Sequence, residues 1–348
     1  PDHPRVQKIL APFRWYSVAE QLHMPRLIKY AQVDLMHFTH FNVPYFCPVP
    51  YVVTLHDLIL LHTNRQRATT LGPLLYPLKY AAWKLLLRHT LKHAKSIIVP
   101  SCAVKQELAA WMPSTSEKTS VVYEGTPGIP NSEWQIANSK NNPAMSHTPL
   151  AIRQVPYILY VGSAYPHKNL ERLVQAFRML PSVIPAKAGI QTRITLVLVG
   201  KNDYFYERLK KEQHLEVRLP NVVLTGEVSD EKLHELYRHA ALVVCPALHE
   251  GFGLPALEAA VHGTPLACSD IRVFREILEG SLTRSHLVQG ETLSKAAFFF
   301  NPYDVHDMAR VLREGLTNEP AREAHIKNAR VRAQSFSWKK MAEETLAI

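Results

Sequence analysis

The stretch from residue 240 to residue 263 constrains the fold of this chain more than any other. It begins with a short apolar run, Ala240 to Cys245, which is typical of a strand buried on both faces. A loop with Gly251 and Gly253 follows, and Pro255 then occupies a position that the first turn of a helix tolerates. The stretch therefore predicts a strand, a glycine loop and a helix, the repeating unit of α/β folds.

The same stretch indicates what its loop could bind. A helix N-terminus behind a glycine loop presents free N–H groups to an anion such as a diphosphate. Glu250 in the loop and Glu258 in the helix would repel that anion, unless the two carboxylates accept hydrogen bonds from hydroxyl groups. A ligand that carries both a diphosphate and sugar hydroxyls is a sugar nucleotide.

A second candidate loop, Gly162 to Asn169, lies between another apolar run and another helical segment. Its lysine, Lys168, would lie at the carboxyl edge of the sheet, on the same side as the glutamate loop. Lys168 would place a compact positive charge on the diphosphate, with His167 as a second phosphate contact.

Length and patterning predict two α/β domains. A chain of 348 residues is long for one core. Strands and helices alternate in residues 1–125 and again in residues 156–334, as in doubly wound sheets. Residues 126–155 are rich in Pro, Asn and Ser and predict a linker or an expanded loop, whereas residues 181–192 predict a surface insertion.

The cysteine spacing and the length of the apolar runs exclude some classes of protein. The four cysteines show no metal-binding spacing, and no apolar run is long enough to predict a membrane-spanning helix. A reducing cytoplasm fits the pattern of the cysteines.

The positive charge is concentrated in the first third of the chain. Residues 1–110 carry 13 Lys and Arg against 5 Asp and Glu, out of a total net charge of +10. A predicted helix over residues 75–95 repeats cations along one broad side. Its cations are Lys79, Lys84, Arg88, Lys92 and Lys95. Such a helix can lie on anionic lipid or can simply be a solvated face, and the pattern alone does not separate the two. Nucleic acid is a weaker candidate, because no nucleic-acid motif accompanies the charge.

Several motifs carry a family resemblance. The segment 249–258, His-Glu-Gly-Phe-Gly-Leu-Pro-Ala-Leu-Glu, resembles the two-glutamate signature of retaining GT-B glycosyltransferases, in particular glycosyltransferase family 4. Segments 34–44 and 53–58 resemble the N-terminal domain of its mannosyltransferase-like members. The resemblance implies a GT-B fold, in which two Rossmann-like doubly wound domains face a cleft. It also implies that residues 335–348 form a final helix that packs back on the first domain.

The resemblance further implies roles for individual residues. Glu258 would bind the ribose hydroxyls, Glu250 those of the donor sugar, and His56 would lie beside that sugar. The remaining donor contacts would come from Gly162, Val228 and the backbone of Gly251, Phe252, Gly253 and Leu254, with Val228 in the loop beside the base. Many members place an arginine directly after the glycine at 162, where this chain has Ser163.

The implied activity is metal-independent transfer of a hexose, with retention, from a nucleotide diphosphate sugar. GDP-mannose is the favoured donor and UDP-sugars stay open. No cofactor is implied, and no Asp-x-Asp metal motif occurs. The acceptor would be a glycan or a lipid-linked glycan in cell-surface polysaccharide synthesis, and the protein would be cytoplasmic or peripheral at the inner face of the membrane.

Two alternatives stay open. Family members begin with a strand, a glycine-rich loop and a helix that would precede residue 1 here, so a first domain truncated at its N-terminus is expected. Such a chain could be a catalytically silent binding protein that docks on an anionic membrane. The other alternative is a sugar-phosphate-using GT-B relative, which its short length argues against.

Overall fold

Buried strands and amphipathic helices alternate along the chain and fold into two units. The computed structural model describes residues 5–62, 75–126, 155–181, 183–185, 191–215, 221–280 and 295–348. The first unit comprises Pro1–Leu58, Thr69–Val122 and Thr345–Ile348, and the second Ile59–Ala68 and Tyr123–Glu344.

The first unit contains a parallel sheet in the order β1-β2-β3-β4. Its strands are β1 (Met36–Phe38), β2 (Tyr51–Thr54), β3 (Ser96–Val99) and β4 (Thr119–Val121). The helices of this part of the chain are α1 (Val18–Tyr30), α2 (Ile59–His62), α3 (Leu75–His93) and α4 (Cys102–Trp111), of which α2 belongs to the second unit.

Local sequence explains where these elements begin and end. All four residues of β2 are buried, as the apolar run predicts for a strand covered on both faces. Ser101 caps α4, because its hydroxyl accepts a hydrogen bond from the backbone N–H of Val104 at 3.2 Å. Ser17 caps α1 in the same way.

The second unit contains a parallel sheet in the order β12-β11-β10-β5-β8-β9. Its strands are β5 (Tyr157–Val161), β8 (Thr195–Val199), β9 (Val222–Gly226), β10 (Leu242–Cys245), β11 (Leu266–Ser269) and β12 (Phe298–Phe300). A separate antiparallel pair, β6 (Val183–Pro185) and β7 (Gln191–Arg193), lies within the predicted insertion.

The helices of the second unit follow the strands. They are α5 (Leu170–Arg178), α6 (Tyr204–Gln213), α7 (Asp230–His239), α8 (Leu254–His262), α9 (Arg272–Glu279), α10 (Val305–Thr317), α11 (Glu319–Ala333) and α12 (Trp338–Leu346). The last residues of α12 belong to the first unit, and α11 was not predicted from the sequence. The core is formed by the inner faces of β5, β8 and β10 together with α5 and α10.

The order of strands in the second unit creates a switch point. From β5 the chain moves outward through β8 to β9, and it then returns to place β10 on the other side of β5. Ligands of open α/β sheets bind at the carboxyl ends of the strands at such a point. Both candidate loops of the sequence follow these two strands.

One prediction concerns residues that the structure describes only in part. The predicted linker, residues 126–155, lies outside the described residues except at its two ends. At one of these ends Thr126 forms a β-bridge with Ser337.

Candidate functional site

The two loops at the switch point are joined by the backbone. The N–H of Leu248, in the loop after β10, donates a hydrogen bond to the carbonyl of His167, in the loop after β5, at 2.7 Å. Since each loop follows a buried strand of the same sheet, this hydrogen bond fixes the lysine loop against the glutamate loop.

Glycine is required at two positions of these loops. Gly253 precedes α8 with φ +94°, and a Cβ atom there would lie 2.7 Å from the ring of Phe274. Gly162 follows β5, and a Cβ atom there would lie 2.8 Å from the hydroxyl of Tyr160. No side chain can therefore occupy either position without displacing its neighbours, and the backbone next to α8 stays open to a ligand.

Lys168 and Glu250 form an ion pair. The Lys168 Nζ lies 2.6 Å from the Glu250 Oε1, and the two side chains are only 20% and 13% exposed. The sequence placed these residues on one side of the sheet, and the structure brings them into direct contact. A diphosphate that binds Lys168 would have to replace this carboxylate as its partner.

The lysine loop depends on Asn169, a residue that the sequence analysis did not single out. Asn169 is buried, adopts the left-handed conformation with φ +63°, and donates hydrogen bonds to the carbonyls of Pro246 and Pro302 at 3.0 and 2.8 Å. These partners follow β10 and β12, so one side chain ties Lys168 to two strand ends. Asn tolerates the left-handed conformation better than most residues, which is the only local signal for this role.

Glu258 is held by a buried tyrosine. The hydroxyl of Tyr237, on α7, donates a hydrogen bond to the Glu258 Oε2 at 2.7 Å. Burial and the neighbouring Glu258 carboxylate raise the pKa of Tyr237, so the phenol stays protonated and able to donate. Tyr237 on α7 thus fixes the position of Glu258 on α8, the residue that is predicted to bind the ribose.

A histidine pair lies at the end of the same helix. The His262 Nδ1 lies 2.7 Å from the carbonyl of Glu258 and therefore donates to it, and the His262 Nε2 lies 2.8 Å from the His234 Nδ1. Burial lowers the pKa of His262, and Arg238 and His234 lower it further, although the hydrogen bond to the carbonyl of Glu258 opposes the shift. His262 is therefore a neutral link between α7 and α8.

The histidines beside the ion pair are neutral as well. Burial, with contributions from Lys168 and His249, lowers the pKa of His167 to about 3. Burial and His62 lower the pKa of His249, whose ring stacks on that of His62 at 4.8 Å. His167 therefore adds no positive charge to a phosphate site at neutral pH, and Lys168 is the charged group of its loop.

The side chain of Phe252 does not line an open site. It is buried and packs against Tyr123 and Phe336, with ring centroids 6.1 and 5.6 Å away. The hydroxyl of Tyr123 donates to Glu276 at 3.0 Å. Phe252 can therefore contact a ligand only through its backbone, as the resemblance implied. Tyr123 supports the glutamate loop by packing against the buried ring of Phe252.

The other predicted site residues either follow strands or lie at the start of α8. Val228 follows β9, two strands from β5, or about 10 Å at the usual spacing of strands. His56 follows β2 in the first unit, where its Nε2 donates to the carbonyl of Thr39 at 2.9 Å. Gly251 and Leu254 flank Phe252 and Gly253 at the start of α8.

Metal-binding clusters and membrane-spanning helices are both absent from the part of the chain that the structure describes. Among those residues, no group of three or more His, Cys, Asp and Glu side chains is arranged to hold a metal ion. None of the described helices is both long enough and apolar enough to cross a bilayer.

Comparison with known proteins finds two family models on this chain. The model of glycosyl transferases group 1 matches residues 147–332, and the model of glycosyltransferase family 4 matches residues 1–127. The family resemblance inferred from the motifs is confirmed.

Curated relatives are similar at modest identity. The O-antigen chain mannosyltransferase RfbU of Salmonella typhimurium is 28% identical over 272 residues, which cover 77% of this chain and 65% of that protein. The serotype-specific mannosyltransferase WbdA of Escherichia coli is 31% identical over 186 residues, which cover 52% of this chain and 20% of that protein. The chain therefore spans less than two thirds of the length of either relative.

Solved structures share the fold over nearly the whole chain. The sucrose-phosphate synthase of Thermosynechococcus elongatus matches with a TM-score of 0.68 and 22% identity, covering 94% of this chain and 77% of that one. HepE of Anabaena in complex with UDP-glucose matches with a TM-score of 0.66 and 16% identity, covering 93% and 81%. The predicted GT-B fold class is confirmed.

Proposed function

The chain belongs to the group 1 glycosyl transferases, and from this premise we propose that it moves a hexose from a nucleotide diphosphate sugar to a glycan or glycolipid acceptor. The observation that carries the proposal is the contact between Lys168 and Glu250 at the switch point of the second unit. A cation for the diphosphate and a carboxylate for sugar hydroxyls lie side by side there, directly before the N-terminus of α8.

Each donor group has a matching partner in the second unit. The diphosphate takes Lys168 and the backbone N–H groups at the start of α8, from Gly251 to Leu254. The ribose takes the carboxylate of Glu258, held by Tyr237, and the sugar takes Glu250. The loop with Val228 lies beside the base. On the first unit, His56 is proposed to approach the donor sugar.

Mannose is the proposed sugar and GDP-mannose the proposed donor. The support is that RfbU and WbdA are both named mannosyltransferases. UDP-sugars are the competing donors, since HepE was solved with UDP-glucose.

We propose that transfer retains the anomeric configuration. The acceptor oxygen attacks the anomeric carbon on the face that the diphosphate leaves, the bond to the leaving phosphate oxygen breaks, and that oxygen takes the acceptor's proton. The protein then has to stabilise charge on the departing diphosphate, which Lys168 and the N-terminus of α8 do without a metal ion. Neutral His167 contributes no charge to this step.

We further propose that the protein works in cell-surface polysaccharide synthesis, in the cytoplasm and at the inner face of the membrane. The support is the exposed side of α3. Leu78 and Leu85 are 72% and 65% exposed there, and Arg88 and Lys92 are exposed on the same helix. Apolar and cationic side chains exposed together are typical of helices that lie on anionic lipid. The spacing of the sequence predicts the cations on one broad side of this helix and Leu78 and Leu85 elsewhere on it, whereas in the structure both leucines are exposed as well.

Sugar-phosphate acceptors are a second candidate. They are favoured by the structural likeness to sucrose-phosphate synthase alone. A catalytically silent protein that only docks on membranes is the other alternative, and a transfer assay separates it from an enzyme.

The test is a transfer assay with GDP-mannose and UDP-glucose on the wild-type chain and on Glu250→Gln. The variant should lose at least about a hundredfold in activity, as is usual when one preorganised polar group of an active site is removed. Glu235→Gln is the matched control, because the Lys232–Glu235 ion pair is 2.9 Å long and similarly shielded, with exposures of 17% and 12%. Equal activity in wild type and Glu250→Gln would contradict the assigned site, and no turnover of either donor would contradict the proposed reaction.

A further inference from the structure

The first unit contains a cavity of about 550 Å³ that the proposed transfer does not use. It is bounded by the C-terminal half of α1, by the loop that leads into β2, and by the last turn of α3. Because β2 begins at Tyr51, which lines the cavity, the cavity lies at the amino edge of the sheet.

The cavity lies away from His56, the residue of the first unit that is predicted to lie beside the donor sugar. His56 follows the other end of β2. Five residues of extended chain separate Tyr51 from His56, or about 16 Å. The cavity is therefore not part of the sugar site.

The chemistry of the lining is aromatic and cationic. Arg26 and Lys29 contribute charge from one wall, and Tyr45 and Phe46 contribute rings from the facing loop. Among the described residues, none that line the cavity is acidic, and neither Arg26 nor Lys29 forms an ion pair. Two cations without a carboxylate partner beside apolar walls fit an anion that carries an apolar part.

The aromatic wall is held in place by the end of α3. The ring of Tyr45 stacks on His89 at 3.8 Å and 16°, and the His89 Nε2 donates to the carbonyl of Tyr45 at 2.8 Å. The His93 Nδ1 in turn donates to the carbonyl of His89 at 2.9 Å. The pKa of His89 is lowered, mainly by burial and in part by the nearby His93 and Lys92, although the hydrogen bond to Tyr45 opposes the shift. His89 is thus neutral, and the ordered wall lies close to the positive charge of Lys92.

A cavity in the second unit provides a comparison, because its cations are paired with carboxylates. It measures about 500 Å³ and is lined by Arg275 and Arg310. Arg275 is paired with Asp270 at 2.8 Å, and Arg310 with Asp307 at 2.6 Å. An anion entering that cavity would have to compete with carboxylates, whereas Arg26 and Lys29 have no such partner among the described residues.

We infer that the cavity of the first unit binds the phosphate of an anionic lipid headgroup, with Arg26 and Lys29 on the phosphate and Phe46 beside the acyl chain. The side chain of Phe46 is 78% exposed at this cavity, where an apolar ring gains from contact with hydrocarbon. Charge complementarity and this exposed ring favour a lipid over a free phosphate compound. The inference deepens the proposed membrane position and rests on it, but it does not depend on which sugar is transferred.

The experiment uses the full chain and monomeric dihexanoyl phosphatidylglycerol, with dihexanoyl phosphatidylcholine and inorganic phosphate as comparison probes. Wild type should bind the anionic lipid saturably, and the double variant Arg26→Ala/Lys29→Ala should bind it about ten- to thirtyfold more weakly, since each basic residue near a lipid phosphate adds about a fivefold effect. The matched control is Arg14→Ala/Lys105→Ala, which removes the same charge from the same unit outside the cavity and should change affinity less than about threefold.

A third variant separates the lipid from a free phosphate. Phe46→Ser should weaken binding of the short-chain lipid and leave the response to inorganic phosphate unchanged. Equal binding of inorganic phosphate and lipid, with no effect of Phe46→Ser, would overturn the lipid assignment in favour of a phosphorylated metabolite. Equal losses in the cavity variant and the Arg14/Lys105 control would overturn the site itself and indicate general electrostatic attraction.

A parallel titration with GDP keeps the two proposals apart. The cavity variants should bind GDP as wild type does, because the nucleotide is proposed to bind the second unit. Failure of wild type to bind GDP would count against the proposed transferase and leave the lipid result standing.

Discussion

Replacing Tyr237 by Phe tests whether Glu258 is positioned for a nucleotide ribose. The substitution removes one hydroxyl, the one that donates to the Glu258 Oε2 at 2.7 Å, and it keeps the buried ring that stacks on His262. The packing of α7 is thus preserved, and the carboxylate loses a neutral donor on its buried side.

The size of the effect follows from two separate losses. A hydrogen bond to a charged group contributes about 1.5–3 kcal/mol, so the free energy of unfolding should fall by about that amount. Without the hydrogen bond from Tyr237, the Glu258 side chain regains rotamer freedom. Ordering that side chain again costs up to about 1.5–2 kcal/mol. Nucleotide binding has to repay part of that cost, so the Kd for GDP should rise about tenfold.

Calorimetric titration with GDP, UDP and ADP, together with urea denaturation, measures both losses. Tyr157→Phe is the matched control, because its buried hydroxyl donates to the carbonyl of Leu236 at 2.8 Å, next to Tyr237, and forms no hydrogen bond with Glu258. The control should lose about 1 kcal/mol of stability and no affinity. The reasoning fails if Tyr237→Phe binds nucleotide like wild type, or if both variants lose affinity equally.

Three further outcomes follow from the second unit. Gly253→Ala should lower the free energy of unfolding in urea by about 2–4 kcal/mol, because it adds left-handed backbone strain and a clash with Phe274. Gly226→Ala is the control, since Gly226 also has a positive φ, +74°, but open space around it, and this variant should show the backbone strain alone. Folding lowers the pKa of His167 from 6.5 to about 3, so the unfolded state binds a proton at a higher pH than the folded state does. The free energy of unfolding should therefore fall as the pH drops from 6.5 towards 3, by up to about 1.4 kcal/mol per pH unit. Denaturation at pH 7.5 and 4.5 should show a smaller difference in stability for His167→Gln than for wild type. Asn169→Gly keeps the left-handed backbone but loses both hydrogen bonds to strand-end carbonyls, so it should cost about 2–4 kcal/mol in the same assay and weaken GDP binding.

The fold was largely predictable because local signals agreed with one another. The sequence patterns predict a strand over Tyr157–Val161 and helices over Tyr204–Gln213 and Asp230–His239, and β5, α6 and α7 have these same bounds. In α6 and α7 a capping side chain, Asp203 or Ser229, stands directly before an apolar pattern of helical period. The approach of Lys168 to Glu250 was predictable for a topological reason, since both follow strands that meet at the switch point.

Other features depend on partners far apart in the sequence. Tyr237 and Glu258 are 21 positions apart, and Asn169 reaches the carbonyls of Pro246 and Pro302 across 77 and 133 positions. No local pattern encodes such contacts. Helix α11 was missed for a different reason, because its buried residues are His325, Ala329 and Ala333, which are too small or too polar to stand out as an apolar stripe.

The Lys168–Glu250 ion pair has a consequence that distinguishes binding from transfer. In the proposed reaction, each side chain exchanges its partner when a nucleotide sugar binds, Lys168 for the diphosphate and Glu250 for the sugar hydroxyls. GDP offers only the first exchange, and it leaves the Glu250 carboxylate beside a dianionic phosphate. In Glu250→Gln the lysine has a weaker partner and the repulsion disappears, so GDP should bind about three- to tenfold more tightly than to wild type, even though sugar transfer is lost. Lys168→Met should do the reverse and weaken GDP binding at least about tenfold, because the charged phosphate contact is gone. Weaker GDP binding in Glu250→Gln would show that Glu250 contacts the nucleotide itself, and the partner exchange would then be wrong.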